Sequence, residues 1–316
     1  MKNRNYYTYN YSTSYSNHHY THNKRTNNKR WKLILPALIL VIIASLFIKS
    51  SIGASHKKVS LDNQDSSKAV LGSAEKKEVK TPPKQINDAV MGQQINAIIA
   101  QYPKMQIGVS VVNLSDDKQY TYGVTQGFLA ASTAKLITAT LFLHKVESGE
   151  LSLTQKVNGE PAKAQLESMI VDSNNDAWYA FNAILTKPAL KAWTVQQGMK
   201  DYSSETNIDT PSDIAILLSK LYQGKMLNKE NTNLLLGYMQ NANEAQYIVS
   251  DVPAGVKVYH KAGWLDDRIN DAAIIDDGKN PYVLVIYSKV NFGAYNSTAG
   301  KKLYKDITDA TVAQFL

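Results

Sequence analysis

Apolar and polar residues follow regular periods only from about residue 85 to the end of the chain. Helical spacing comes first, at Ile86, Val90, Ile95, Ile98 and Ile99. Strand-like alternation follows at 107–114 and 120–124, on either side of a polar turn. The pattern therefore predicts a helix followed by a β-hairpin.

The period changes again after the hairpin. A helix should open at Ser132, and Gly149 is a plausible stop signal for it. No strand pattern interrupts the helices that follow, which we predict at 164–171, 176–185, 188–197, 212–222 and 229–239. Strand patterns return at 256–260, 269–275 and 282–288, before a closing helix at 300–315.

Strands at both ends with helices between them predict an α+β fold. We expect one antiparallel sheet flanked by the first and last helices and split by an all-helical insertion. The sheet lobe would comprise 85–131 and 251–316, and the helical lobe 132–250.

The residues before this region have a different character. The segment 1–30 is rich in Asn, Tyr, Ser and Thr without apolar periodicity, so we expect a disordered cytoplasmic tail. Basic residues then precede an apolar run, and 31–48 is predicted to be a transmembrane signal anchor. A cleaved signal peptide is the alternative. The Ser- and Lys-rich segment 49–84 would be a flexible linker.

Charge and cysteine content exclude several kinds of protein. Residues 1–58 hold ten of the 35 Lys and Arg residues and no Asp or Glu, which leaves 25 basic against 27 acidic residues after them. The basic excess thus flanks the apolar run, and we expect no nucleic-acid partner. The chain has no cysteine, so it has no disulfide or thiolate metal site. We expect no metal and no cofactor, and the sequence does not indicate an oligomeric state.

The most informative candidate for chemistry is Ser132, which has Lys135 one helical turn later. A serine hydroxyl needs an adjacent base to act as a nucleophile, and residues three apart share a helix face. Three other serines have a lysine at this spacing, but they lie in polar or turn segments: Ser55, Ser73 and Ser115. A serine that merely caps an ordinary helix is the structural alternative for Ser132.

Two further motifs follow in order, Ser173-Asn174-Asn175 and Lys261-Ala262-Gly263. Together with the first motif they resemble the signature of class A β-lactamases and penicillin-binding proteins, and the similarity covers roughly 85–316. The resemblance implies a β-lactamase/transpeptidase-like fold with a cleft between the two lobes.

The resemblance also implies roles for individual residues. Ser132 would be the acylated nucleophile and Lys135 its base, while Ser173 would pass a proton to the leaving nitrogen. Lys261 would attract the substrate carboxylate. Three more positions would contact the substrate: Asn175 through its side chain, Gly263 as part of the third motif, and Trp264 through its N–H, which would hold the oxyanion with that of Ser132.

The sequence departs from the family pattern at two places. Ala262 stands where the family usually has Thr or Ser, so a hydroxyl that helps bind the substrate carboxylate is missing. Glu205 lies in a short segment that imitates only loosely the loop carrying the deacylating Glu of class A enzymes, and Pro211 starts the next helix soon afterwards. Glu205 is either that base or a solvated loop carboxylate.

Three functions remain open from the sequence. The first is a membrane-anchored serine hydrolase or acyltransferase that acts outside the membrane on β-lactams or D-alanyl peptides. The second is a true class A β-lactamase with a reduced loop. The third is a module that binds or senses cell-wall peptide without turnover. We expect the folded part to lie outside the cell membrane, either anchored to it by a single span or secreted after signal cleavage.

Overall fold

A computed structural model of the chain describes residues 84–316. The predicted tail, the predicted anchor and the linker up to residue 83 lie outside these described residues. Within 84–316, no helix combines the length and apolar character needed to cross a membrane.

The secondary structure of residues 84–316 agrees closely with the predicted order of elements. In chain order the elements are α1 (Asp88–Ala100), β1 (Met105–Asn113), β2 (Gln119–Gly123), β3 (Phe128–Leu129), a 3₁₀ helix (Ala131–Ala134), α2 (Lys135–Glu147), β4 (Lys156–Val157), β5 (Glu160–Pro161), α3 (Ala162–Val171), α4 (Asn175–Leu185), α5 (Lys187–Gln196), β6 (Ile208–Asp209), α6 (Pro211–Tyr222), α7 (Lys229–Gln240), a second 3₁₀ helix (Val249–Asp251), β7 (Lys257–Leu265), β8 (Arg268–Asp276), β9 (Tyr282–Val290) and α8 (Ser297–Phe315).

Five strands form one antiparallel sheet in the order β2-β1-β9-β8-β7, so the two ends of the described region meet between β1 and β9. Both faces of the central strands are covered, and β8 and β9 are buried along most of their length. Near-continuous apolar runs such as Tyr282–Tyr287 follow from this burial on both faces. Strand β7 lies at the edge of the sheet, beside β8 alone.

Two apolar cores lie on opposite sides of the sheet. On one side, residues of α1 and α8 such as Met91 and Leu303 pack against Ile107 and Ile286. On the other side, the sheet packs against helices of the middle of the chain, and α6 contacts β1, β8 and β9 directly. Helix α6, which belongs to the predicted helical lobe, therefore contributes to the packing of the sheet.

The structure differs from the predicted elements at three places. Ser132 does not open an α-helix but lies within the 3₁₀ helix Ala131–Ala134, and α2 begins at Lys135. Two-residue strands interrupt the middle region, where the apolar pattern predicts only helices: β4 with β5, and β6 with β3. Strand β7 runs to Leu265 rather than ending near residue 260, because its pairing with β8 continues to Arg268.

Candidate active site

The turn that carries Ser132 is held in a conformation that its own sequence does not favour. Ala131 has a φ of 52°, in the left-handed region that costs a residue with a side chain roughly 1–3 kcal/mol. Neighbouring segments hold the turn: the amide of Asn270 donates to the carbonyl oxygens of Leu129 and Ala130 at 3.0 Å each, and that of Asn207 donates to Ala131 O at 3.3 Å. The turn therefore depends on tertiary contacts.

A buried chain of polar groups supports the same turn from below. Thr133 Oγ1 donates to Ala130 O at 2.7 Å and lies 2.6 Å from the hydroxyl of Tyr287, which lies 3.3 Å from Asp209 Oδ2. Burial raises the pKa of Asp209 well above its usual value. These three contacts need three protons as hydrogen-bond donors. The hydroxyls of Thr133 and Tyr287 supply two of them, so a protonated Asp209 supplies the third. From the sequence, Asp209 stands out only as part of the loop pattern around Glu205, and no motif marks Asn207 or Asn270 as supports of this turn.

The amine of Lys135 lies at the centre of a dense set of hydrogen bonds. Its Nζ atom is 2.5 Å from Ser173 O, 2.8 Å from Asn175 Oδ1, 3.0 Å from Ser132 Oγ and 3.2 Å from Ser173 Oγ. The Lys135 side chain is fully buried. The structure thus brings the first and second predicted motifs together around one nitrogen atom.

The partners of Lys135 determine how its amine is oriented. Ser173 O and Asn175 Oδ1 can only accept hydrogen bonds, so they fix two N–H groups of the amine. The remaining direction faces the hydroxyls of Ser132 and Ser173. In the neutral amine, that direction holds the lone pair, which can accept the Ser132 proton.

The pKa of Lys135 makes the neutral amine available near neutral pH. Burial and, to a smaller extent, the positive charge of Lys261 together lower this pKa to about 7, against the opposing effect of the negative charge of Glu244. A large share of the molecules therefore carries an unprotonated Lys135 near neutral pH. The arrangement can activate a serine as a nucleophile without a histidine.

The second motif reaches Lys135 through an unusual backbone conformation. Ser173 has a φ of 57°, and this turn lets both its carbonyl oxygen and its hydroxyl approach Lys135. Asn174 caps α4 by accepting a hydrogen bond from Ala177 N at 3.1 Å. Asn175 is the first residue of α4, which fixes its side chain toward the lysine.

The third motif lies on edge strand β7 beside the nucleophile. A Cβ added to Gly263 would lie 2.4 Å from Ser132 N and 3.0 Å from Thr133 N, so only glycine allows this approach. Lys261 is two residues earlier and shares that face of the strand, since side chains alternate. Its amine is buried and donates to Ala262 O at 3.0 Å, while burial lowers the pKa of Lys261.

The remaining predicted residues differ in their surroundings. Ala262 is buried in the sheet, whereas Trp264 is exposed and donates its indole N–H to Glu244 Oε1 at 3.0 Å. Glu205 lies apart from the motifs: its carboxylate, 69% exposed, pairs with Lys187 at 2.9 Å. Among the described hydrogen bonds and ion pairs, none joins Glu205 to Ser132, Lys135 or Ser173.

Comparisons with known proteins agree with this architecture. Solved structures of the same fold include one described as PBP-A, which is 22% identical, with a TM-score of 0.66 over 73% of this chain and 97% of that one. A mutant of PBP-A, solved as an acyl-enzyme complex with penicillin G, is also 22% identical, with a TM-score of 0.66 over 74% of this chain and 98% of that one. A β-lactamase from Chitinophaga pinensis DSM 2588 is 19% identical, with a TM-score of 0.65 over 71% of this chain and 98% of that one.

A comparison with curated protein sequences finds no significant match. The model of the beta-lactamase enzyme family matches residues 91–315, which include all three motifs and both halves of the sheet. The predicted β-lactamase/transpeptidase-like α+β fold is confirmed, and the chain belongs to the beta-lactamase enzyme family.

Proposed function

We propose that this protein is a serine hydrolase or acyltransferase in which Ser132 forms an acyl-enzyme with β-lactams or D-alanyl peptides. The observation that carries the proposal is the position of the Lys135 amine, 3.0 Å from Ser132 Oγ and fixed by Ser173 O and Asn175 Oδ1. Such a base removes the proton of the attacking hydroxyl, and Ser173 Oγ, 3.2 Å from the same amine, returns it to the leaving nitrogen.

The oxyanion of the tetrahedral intermediate would form beside the edge of β7. Gly263 allows this strand to lie against the backbone N–H of Ser132. The next residue, Trp264, supplies a second backbone N–H. Two such donors stabilise the developing charge, and each is worth about 10² to 10³ in rate in other enzymes.

The fate of the acyl-enzyme depends on a base that activates water. Glu205 was the candidate for this role from the sequence, but it pairs with Lys187 at the surface. A base must reach the attacking water to act, so we propose that the acyl-enzyme persists. This favours penicillin-binding behaviour over rapid β-lactam hydrolysis. The acylated PBP-A mutant of the same fold is consistent with such chemistry.

The proposed setting is the cell surface. Residues 31–48 would anchor the protein in the membrane as a single span, with 85–316 outside. A variant that lacks residues 1–53 should move from the membrane fraction to the soluble fraction. If the protein expressed with residues 1–53 is instead recovered in the soluble fraction without its N-terminal segment, a signal peptide has been cleaved.

One experiment separates the three candidate functions. The purified full-length protein is incubated with a fluorescent penicillin and with a chromogenic cephalosporin. A stable label without colour change supports the penicillin-binding proposal, and a fast colour change supports a class A β-lactamase. If neither signal appears, a binding or sensing role remains.

Ser132→Ala should abolish both signals. The matched control is Ser115→Ala, because Ser115 also has a lysine three residues later but is exposed in the turn between β1 and β2. This control should keep the wild-type signal. Labelling that persists in Ser132→Ala would disprove Ser132 as the nucleophile.

A further inference from the structure

A loop formed by residues 242–248 follows α7 and lies beside the second motif. The backbone N–H of Asn243 donates to Val171 O at 3.0 Å, and Asn243 Nδ2 donates to Asp172 Oδ1 at 3.1 Å. These two partners end α3 immediately before Ser173. The loop therefore supports the turn that carries the second motif.

The same loop also contacts the strand of the third motif. Glu244 Oε1 accepts the indole N–H of Trp264, the residue after Gly263, at 3.0 Å. Glu244 has a φ of 70°, which is costly for a residue with a side chain. Contacts with neighbouring segments have to hold the loop, since its own backbone does not favour this conformation. The loop thus lies between the second and third motifs and binds both.

A buried histidine–aspartate pair holds both ends of the loop. His260 on β7 is 1% exposed, and Asp271 on β8 is 0% exposed. His260 Nε2 lies 3.4 Å from Ala242 O at the start of the loop, and Asp271 Oδ2 accepts the backbone N–H of Ile248 at its end, at 3.2 Å. His260 Nδ1 and Asp271 Oδ1 lie 3.2 Å apart. The pair therefore fixes the loop against the sheet.

These contacts determine how many protons the pair has to carry. A carbonyl oxygen only accepts hydrogen bonds, so Nε2 needs a proton to bind Ala242 O. The contact between Nδ1 and Asp271 Oδ1 needs a second proton. A neutral imidazole carries only one, so the pair holds one proton more than a neutral histidine beside an ionised carboxylate. Because an imidazole is a stronger base than a carboxylate, this extra proton makes His260 an imidazolium.

The charges around His260 act in both directions. Burial lowers the pKa of His260, and so does the positive charge of Lys261. The negative charge of Asp271 and the hydrogen bonds to Asp271 and Ala242 O outweigh them, so the pKa of His260 is raised from its ordinary value. The imidazolium is therefore lost only as the pH rises through this raised pKa.

Two tyrosines and one carboxylate complete the surroundings of the pair. Tyr247 of the loop packs against Tyr304 of α8, with ring centroids 5.2 Å apart. Burial and the negative charge of Asp271 raise the pKa of both tyrosines, so neither exchanges a proton with the pair near neutral pH. Glu244 is the only charged residue of the loop, and its Oε1 is bound to Trp264.

We propose that His260 is a positioning residue for the acylation of Ser132: as an imidazolium bound to Asp271 and Ala242 O, it fixes the loop that holds the second and third motifs in place. This inference rests on the proposed acylation. When His260 loses one proton, the remaining proton stays on Nδ1 beside the carboxylate. The lone pair of Nε2 then faces Ala242 O, and the start of the loop is released.

The first test measures the protons of His260 directly. In the full-length protein labelled with ¹⁵N-histidine, the NMR signal of His260 is identified by its loss in His260→Gln and its shift in Asp271→Asn. Both ring nitrogens should carry a proton at pH 6, and one proton should be lost above the ordinary pKa of histidine, about 6.5. A ring nitrogen without a proton at pH 6 would overturn the proposal.

The second test links this proton to the reaction. The second-order rate constant for labelling with a fluorescent penicillin is measured from pH 5 to pH 11. Beyond the plateau set by neutral Lys135, the wild-type rate constant should fall about tenfold, since small displacements of catalytic groups cost one to two orders of magnitude. The midpoint of this fall should coincide with the titration of the His260 signal. His260→Gln should react about tenfold more slowly than wild type on the plateau and should lack the fall.

Two further variants distinguish the proton of His260 from other causes. His144→Gln changes an exposed histidine in α2 and should keep the wild-type profile. Asp271→Asn removes the charge that stabilises the imidazolium, so the NMR titration and the fall in rate should both move to lower pH. This shift remains measurable if His260→Gln does not fold. A wild-type rate that stays constant through the titration of His260, or an equal fall in His260→Gln, would overturn the role of His260.

Ser132→Ala separates this inference from the function on which it rests. If labelling depends on Ser132 but does not follow the titration of His260, the proposed acylation stands and the role of His260 is wrong. If wild type is not labelled, or if Ser132→Ala is labelled as fast as wild type, the proposed function fails and the positioning role fails with it.

Discussion

Gly263 and Ser132 approach each other so closely that no side chain fits between them. A Cβ on Gly263 would lie 2.4 Å from Ser132 N, a contact with backbone that cannot rotate away. This approach joins edge strand β7 to the 3₁₀ helix that carries the nucleophile.

Gly263→Ala should therefore separate the third motif from Ser132. We expect the acylation rate to fall by about 10² or more, since the displaced backbone includes a proposed oxyanion donor. The free energy of unfolding should fall by about 1–3 kcal/mol from overpacking. Labelling kinetics with a fluorescent penicillin and urea denaturation measure the two effects.

The matched control for this change is Gly237→Ala in α7. A Cβ at Gly237 meets nothing within 4 Å, so this variant should label normally and gain about 0.5–1 kcal/mol of stability. Normal labelling by Gly263→Ala would contradict the close approach as a requirement for acylation.

The rate of acylation should depend on pH through Lys135. Only the neutral amine can accept the Ser132 proton, and the pKa of Lys135 is about 7. The second-order rate constant for labelling should rise about tenfold per pH unit below that value and level off above it. A series of labelling rates between pH 5 and 9 measures the profile.

Glu244→Gln should move this profile in a defined direction. The negative charge of Glu244 raises the pKa of Lys135, so its removal should shift the midpoint to lower pH. A midpoint that moves upward would show that Glu244 does not act on Lys135 by charge.

The buried Lys135 should also make stability depend on pH. Its pKa falls from 10.5 to about 7 on folding, so between these values the unfolded chain binds a proton that the folded protein lacks. The free energy of unfolding of the wild type, relative to that of Lys135→Met, should therefore rise by about 1 kcal/mol per pH unit in this window. Urea denaturation of both proteins at pH 7 and pH 9 tests the prediction. A difference that stays constant would show that Lys135 keeps its ordinary pKa.

The buried Asp209 should make the free energy of unfolding depend on pH in the opposite direction. Burial raises the pKa of Asp209, so the folded protein retains a proton that the unfolded chain loses as the pH rises above the ordinary value. Asp209→Asn should gain stability relative to wild type as the pH rises above the ordinary pKa of an aspartate, by up to about 1.4 kcal/mol for each pH unit until the raised pKa of Asp209 is reached. Thermal unfolding between pH 4 and pH 7 measures this gain. A wild type that loses no stability relative to the variant would show that Asp209 is ionised beneath the Ser132 turn.

Much of the secondary structure could be predicted from the sequence because its signals are local. The apolar spacing of Ile95 and its neighbours marks α1, and the alternation around Val109 marks β1. Prolines and capping residues mark several helix starts, such as Thr210 and Pro211 at α6. The order of strands and helices then restricts the fold to a sheet split by helices.

The departures occur where long-range contacts outweigh local preference. Ala131 and Ser173 adopt positive φ values that no local signal predicts, because Asn207, Asn270 and Lys135 hold them there. Strand β7 continues through Gly263 because it pairs with β8.

By itself the sequence determined which residues could carry chemistry: two serines, two lysines and an asparagine in three short motifs, with no cysteine available. The tertiary structure decided how they act. It placed Ser132, Ser173 and Asn175 around one buried amine, paired Glu205 with Lys187, and brought Glu244 between the motifs. The physical reason is that the pKa of a side chain depends on its burial, and that distances of a few ångströms between side chains depend on residues far apart in the chain. A local sequence pattern encodes neither.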